Sequence, residues 1–121
     1  MSPVPDEADM TAMVELLRVL GHDNRLRLLG VLAGKGEKAV GELEALAGIG
    51  QPALSQQLAI LRKAQLVTTR REAKQVYYML AGEGLGQVAG FLSAMAGGGD
   101  VGTRADAPPS HGSAATFARI L

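Results

Sequence analysis

Val40–Leu80 reads VGELEALAGIGQPALSQQLAILRKAQLVTTRREAKQVYYML. The stretch predicts a short helix over about Val40–Ala47, a turn at Gly48-Ile49-Gly50, a second helix from Gln51-Pro52 to about Ala64, and a charged hairpin. In the short helix Leu43 and Leu46 are expected to point inward, with Glu42 and Glu44 left in water. Glycine in the turn permits a positive φ. Pro52 suits a first helical turn, where its missing N–H leaves no bond unmade. Leu54, Leu58 and Leu61 recur at helical spacing and leave Ser55, Gln56, Gln57, Arg62 and Lys63 beside them. The hairpin goes out from Leu66-Val67 and returns over Gln75–Leu80, where Val76, Tyr78 and Leu80 alternate with Tyr77 and Met79. Arg71–Lys74 contains no Gly or Asn-Gly pair, so its turn type is not legible.

Outward from this stretch the pattern is helical on both sides. Met10, Met13, Val14, Leu17 and Leu20 predict a first helix over about Ala8–Leu20, closed by Gly21. Asp23 or Asn24 is expected to cap a second, carrying Leu26, Leu28, Leu29 and Leu32 and ending near Gly34. Lys35–Lys38 reads as a polar turn. A last helix over roughly Glu83–Ala96 shows Leu85, Val88, Ala89, Leu92 and Met95 on one face. Gly82, Gly84, Gly86 and Gly90 weaken it intrinsically, so packing against another helix must hold it. The expected organisation is a flexible N-terminus over 1–7, one domain over 8–97, and a Gly/Ala/Pro-rich flexible tail over 98–121. The fold class is mainly α with a β-hairpin wing, in the order α-α-α-α-β-β-α: a winged helix-turn-helix.

Composition narrows the function. A chain of 121 residues with two Phe, two Tyr and no Trp builds a thin aliphatic core, which favours burial of apolar helix faces in an oligomer. The candidate faces are Met10, Met13 and Leu17 in the first helix, with Leu85, Val88, Leu92 and Met95 in the last. With no cysteine, disulfides, thiolate metal sites and thiol redox switches are excluded. No Ser/His/Asp set, paired-carboxylate cleft or metal cluster offers a catalytic centre. Neither an apolar span nor a signal peptide is recognisable, so a cytoplasmic protein without a membrane role is expected.

The formal net charge is zero, but it is polarised. From Gln51 to Gln75 five basic residues face one acidic residue, whereas Met1–Gln51 holds eight acidic and five basic residues. Local positive potential of this kind can face phosphate. Gln hydrogen-bonds base edges, adenine in particular, and Ser bonds base edges or phosphate. Gln51 sits at a helix start, where backbone N–H groups favour an anion. Arg62 and Lys63, further along, fit backbone rather than bases. Arg70, Arg71, Lys74 and Gln75 form a wing suited to phosphates and a minor-groove edge. A polar helix face and a charged hairpin tip also serve solubility alone; it is their adjacency that points to DNA.

These residues carry a family resemblance. Val40-Gly-Glu-Leu-Glu, Gly50-Gln-Pro-Ala-Leu-Ser-Gln-Gln-Leu and Leu61 through Tyr78 resemble the ArsR/SmtB family of bacterial repressors. Asn24-Arg25-Leu26-Arg27-Leu28-Leu29 is similar to its early-helix signature. The likeness covers about Met13–Met95 and is nearest the branch that senses sulfide or persulfide. It implies a winged homodimer, paired through its first and last helices, that binds a palindromic operator and releases it when an inducer arrives. The branch carries a cysteine in each of the second and last helices. The matching neighbourhoods, Leu29-Gly30-Val31 and Met95-Ala96-Gly97, have none. The family's early-helix thiolate site and last-helix zinc site lack their ligands too. His22, beside Asp23, fits a helix start, and His111 falls in the tail.

The expectation is therefore a homodimeric repressor of a double-stranded DNA operator, with no cofactor and no metal. Its effector, if one exists, is a small molecule that is neither a metal nor thiol-reactive. The alternatives are a winged-helix module for protein partners and a constitutive repressor without a release switch.

Overall fold

The computed structural model describes residues 6–97. The expected tail over 98–121 and most of the N-terminal segment lie outside the described residues. Helix α1, Glu7–Leu20, starts where Asp6 Oδ1 accepts the Asp9 N–H at 2.8 Å. Glu7 and Asp9 in its first turn and Arg18 in its last oppose the helix dipole. Helix α2, Asp23–Lys35, is capped by His22, whose Nδ1 accepts the Asn24 N–H at 3.2 Å. The cap falls on His22 rather than on Asp23 or Asn24, and Asp23 Oδ1 accepts the same N–H at 2.7 Å. Gly36 ends α2 at φ +83°.

Strand β1, Lys38–Ala39, leads directly into helix α3, Val40–Ala47, where Glu42 Oε1 accepts the Ala39 N–H at 2.9 Å. Gly48 closes α3 in the left-handed region at φ 70°. Helix α4 is Ala53–Lys63, one or two residues later than its expected start, because Gln51 and Pro52 form a turn. Strands β2, Val67–Glu72, and β3, Gln75–Leu80, pair antiparallel from Val67 opposite Leu80 to Glu72 opposite Gln75. Their two-residue turn is Ala73-Lys74, with Ala73 at φ 56°. Strand β1 pairs with β3, Lys38 opposite Tyr78, so the sheet order is β1-β3-β2. The polar turn expected over Lys35–Lys38 thus ends in a strand. Helix α5, Gly82–Met95, completes the chain's winged helix-turn-helix.

The core is aliphatic. Leu28, Leu43, Leu54, Leu58, Leu61, Leu66 and Val67 are fully buried and draw α2, α3, α4 and β2 together. Burying a Leu side chain contributes about 1.5–3 kcal/mol. The whole Leu54/Leu58/Leu61 row is buried, which fixes the opposite face of α4 toward solvent. The inward expectation for Leu46 fails, and Leu26 in α2 also stays in water. Leu46 is 44% exposed and Leu26 45%, while Ala47, one turn after Leu43, takes the inner position in α3. Gly84 lets α5 lie close to the core: a Cβ there would stand 3.2 Å from Leu66 Cδ2 and 3.6 Å from Leu16 Cδ2. Among the described residues no helix is long and apolar enough to cross a membrane.

Candidate nucleic-acid interface

Helix α3, the turn through buried Ile49, and α4 form the helix-turn-helix, and β2-β3 the wing packed after it. Periodicity arranges the exposed side of α4 into two rows, Ser55 with Arg62 and Gln56 with Lys63. The members of each row stand seven residues, about 10 Å, apart. All four are exposed.

The polar trio divides into three different environments. Gln51 Oε1 accepts both the Ser55 N–H at 3.1 Å and the Ser55 hydroxyl at 2.7 Å. Gln51 therefore satisfies one of the open N–H groups at the start of α4, and Ser55, its proton committed, keeps its oxygen lone pairs for a ligand. Gln56 is exposed. Gln57 is half-buried, and its Oε1 accepts from Arg25 Nε at 2.8 Å. Arg25, at the start of α2, also donates through Nη1 to the Val19 carbonyl at 3.3 Å.

The wing residues divide as well. Arg70 makes a two-pronged contact with Glu37, Nε to Oε2 at 2.6 Å and Nη2 to Oε1 at 2.8 Å. It reaches Glu72 at 2.8 Å and lies 4.7 Å from the Tyr77 ring centroid. The hydrogen bond and charge of Arg70 hold the Glu37 carboxyl below its ordinary range, and the two carboxylates raise Arg70 further. Arg70 thus pins the wing to the segment before β1, with its charge already matched. Arg71, Lys74 and Gln75 are exposed at the wing tip. Arg62, Lys63, Arg71 and Lys74 make no ion pair among the described residues.

The residues expected at an interface between chains also split. Met13 and Val88 are buried within the single chain, where α1 meets α5, and Met10 and Leu85 are half-buried. Leu17, Leu92 and Met95 remain 37%, 45% and 60% exposed, joined by Val14 at 38%. Among the described residues no group of three or more His, Asp or Glu side chains could hold a metal. Sequence reasoning missed Arg25 and Glu37 as partners of the site. Arg25 was visible only as part of the early-helix signature, and Glu37 only as one charge in a polar turn.

A helix-turn-helix with an appended wing and an open, polar second helix defines a class of nucleic-acid-binding proteins. Residues 22–69 match the bacterial regulatory protein, arsR family. The chain is 54% identical over 80 residues to the biofilm growth-associated repressor of Agrobacterium fabrum, covering 65% of this chain and 68% of that protein. It is 52% identical over 68 residues to the protein of the same name from Xylella fastidiosa, covering 56% of this chain and 59% of that one. The crystal structure of the transcriptional repressor BigR from Xylella fastidiosa is similar at a TM-score of 0.58 and 44% identity, over 73% of this chain and 87% of that chain. The chain belongs to the ArsR family of bacterial regulatory proteins. It is a transcriptional regulator, not an enzyme.

Proposed function

We propose that the protein is a homodimeric repressor that places α4 in the major groove of an inverted-repeat operator, with the wing over flanking backbone. The observation that carries this reading is the exposed α4 face of Ser55, Gln56, Arg62 and Lys63, together with Arg71 and Lys74 exposed at the tip of the wing that follows it. Side chains that accept and donate at base edges lie on the same helix as cations suited to phosphate. The relatives support it by being named repressors. Gln51, Gln57 and Gln75 belong to the same surface, Gln51 by ordering Ser55. Arg70 serves it by holding the wing rather than by offering a free charge.

The homodimer reading rests on Val14, Leu17, Leu92 and Met95, a set of apolar side chains on the two helices that already meet in one chain. Two-fold pairing would cover them and would present two α4 helices to two half-sites. Release from DNA, where it occurs, answers to a non-covalent effector. The chain has no thiol to oxidise, and the described residues have no cluster to hold zinc. Selection from a randomised duplex pool tests the reading: an inverted repeat should emerge with half-sites about one helical turn apart. Recovery of no preferred sequence would overturn it. Zinc or a persulfide donor added to the bound complex should leave affinity unchanged. Release at low-micromolar zinc, lost in His22→Ala, would contradict the proposed effector class.

A further inference from the structure

We propose that Arg25 is a positioning residue for base readout: it holds the Gln57 amide so that the NH2 group, not the carbonyl, leads toward the base. The inference rests on the reading that α4 enters a major groove. Arg25 lies outside α4, yet its Nε bonds Gln57 Oε1 at 2.8 Å. A guanidinium N–H only donates, so the amide atom facing it must be the oxygen. Chemistry thereby settles the amide orientation, which is otherwise ambiguous for a glutamine.

Arg25 is itself fixed at a second point. Its Nη1 donates to the Val19 carbonyl at 3.3 Å, in the last turn of α1, where helix carbonyls lack intrahelical partners. The planar guanidinium loses little freedom in making both bonds. Gln57 is half-buried, unlike Ser55 and Gln56, and its orientation is set by another helix. Ser55 is oriented from the start of its own helix by Gln51.

The consequence is a restricted donor–acceptor code. A Gln57 amide led by its NH2 group matches acceptors: guanine O6 and N7, adenine N7, thymine O4. Cytosine shows only the N4 donor in that groove. Arg25 thus biases Gln57 against cytosine without touching the DNA.

The test uses the duplex that the intact protein selects from a randomised pool. The position whose preference flattens in Gln57→Ala is then filled with each of the four bases, and binding is followed by fluorescence anisotropy. The intact protein should disfavour cytosine there by about tenfold, corresponding to about 1.4 kcal/mol. Arg25→Ala should flatten that position alone and leave the salt slope unchanged. The double variant Arg25→Ala with Gln57→Ala should discriminate no worse there than Gln57→Ala. Gln57→Glu keeps an oxygen for Arg25 and turns a second oxygen outward, so its preference should move toward cytosine. Because Arg25 stays in place, that variant reads the proposal independently of how Arg25→Ala folds. A uniform loss in Arg25→Ala with a salt slope reduced by about 1 would put Arg25 on phosphate and overturn the proposal. Unchanged base preference in both Arg25→Ala and Gln57→Glu would overturn it too. If the intact protein selects no sequence, the operator reading itself fails. If it selects one that Arg25→Ala reads equally well, only the role of Arg25 fails.

Discussion

Residues of one charge do different work in this wing. Arg70 is matched by Glu37 and Glu72, whereas Arg71 and Lys74 are exposed and make no ion pair among the described residues. Arg71→Ala or Lys74→Ala should therefore weaken binding evenly across sequences, and each should reduce the salt slope by about 1 if the side chain neutralises one phosphate. An anisotropy series at several salt concentrations checks this, and an unchanged slope removes that residue from the interface. Glu37 yields a pH prediction. Its native pKa is lowered, so its contribution is complete above the ordinary glutamate value of about 4.3 and is lost as pH falls through the lower native value. Urea midpoints below about pH 4.3 should fall more steeply for the intact protein than for Glu37→Gln. The pair is exposed, so the difference should be small, and parallel curves would contradict it. At this scale the sequence exposed the candidate surface but not its internal commitments. Ser55, Gln56 and Gln57 are adjacent letters, yet their partners sit at Gln51, solvent and Arg25. A hydrogen bond across 32 positions leaves no periodic trace.

Elements were legible where a repeat spans several turns. Helix α4 follows from Leu54, Leu58 and Leu61, and β3 from its alternation and aromatic content. Strand β1 was not legible, because two residues cannot display a period. The wing turn was hidden because Ala73 occupies a positive φ without the Gly or Asn that normally marks it. In α3 hydrophobicity alone points Leu46 inward, but one turn on from Leu43 the small Ala47 takes the inner place. The glycines give a sharp test of the described backbone. Gly34 lies within α2 with open space around its Cβ position, so Gly34→Ala should stabilise by up to about 1 kcal/mol. Two residues on, Gly36 at φ +83° and ψ −166° has a backbone that side chains disfavour, and Gly36→Ala should cost about 1–3 kcal/mol. Thermal melts of the two variants should move in opposite directions. Movement in the same direction would contradict the assigned end of α2.

Across the whole molecule two proposals meet: pairing through α1 and α5, and recognition through α4 and the wing. Leu92 is 45% exposed in the single chain, so a charge there harms little unless a second copy covers it. Leu92→Glu should sediment as monomer or unfolded chain and lose operator affinity. A stable dimer with unchanged affinity would remove Leu92 from the interface. The sequence displayed the winged architecture and both apolar faces, but not which residues were already buried within one chain. Met13 and Val88 close α1 on α5, while Leu17, Leu92 and Met95 stay exposed in the single chain. The central claim is recognition of DNA by α4 and the wing, and one measurement meets it directly: affinity for the selected duplex and for a scrambled one, titrated from about 50 to about 200 mM salt. Arg62, Lys63, Arg71 and Lys74 from each of two copies should release enough counterions to weaken binding about 10³–10⁵-fold over that range, with the selected duplex bound more tightly throughout. Affinity indifferent to both salt and sequence would contradict it.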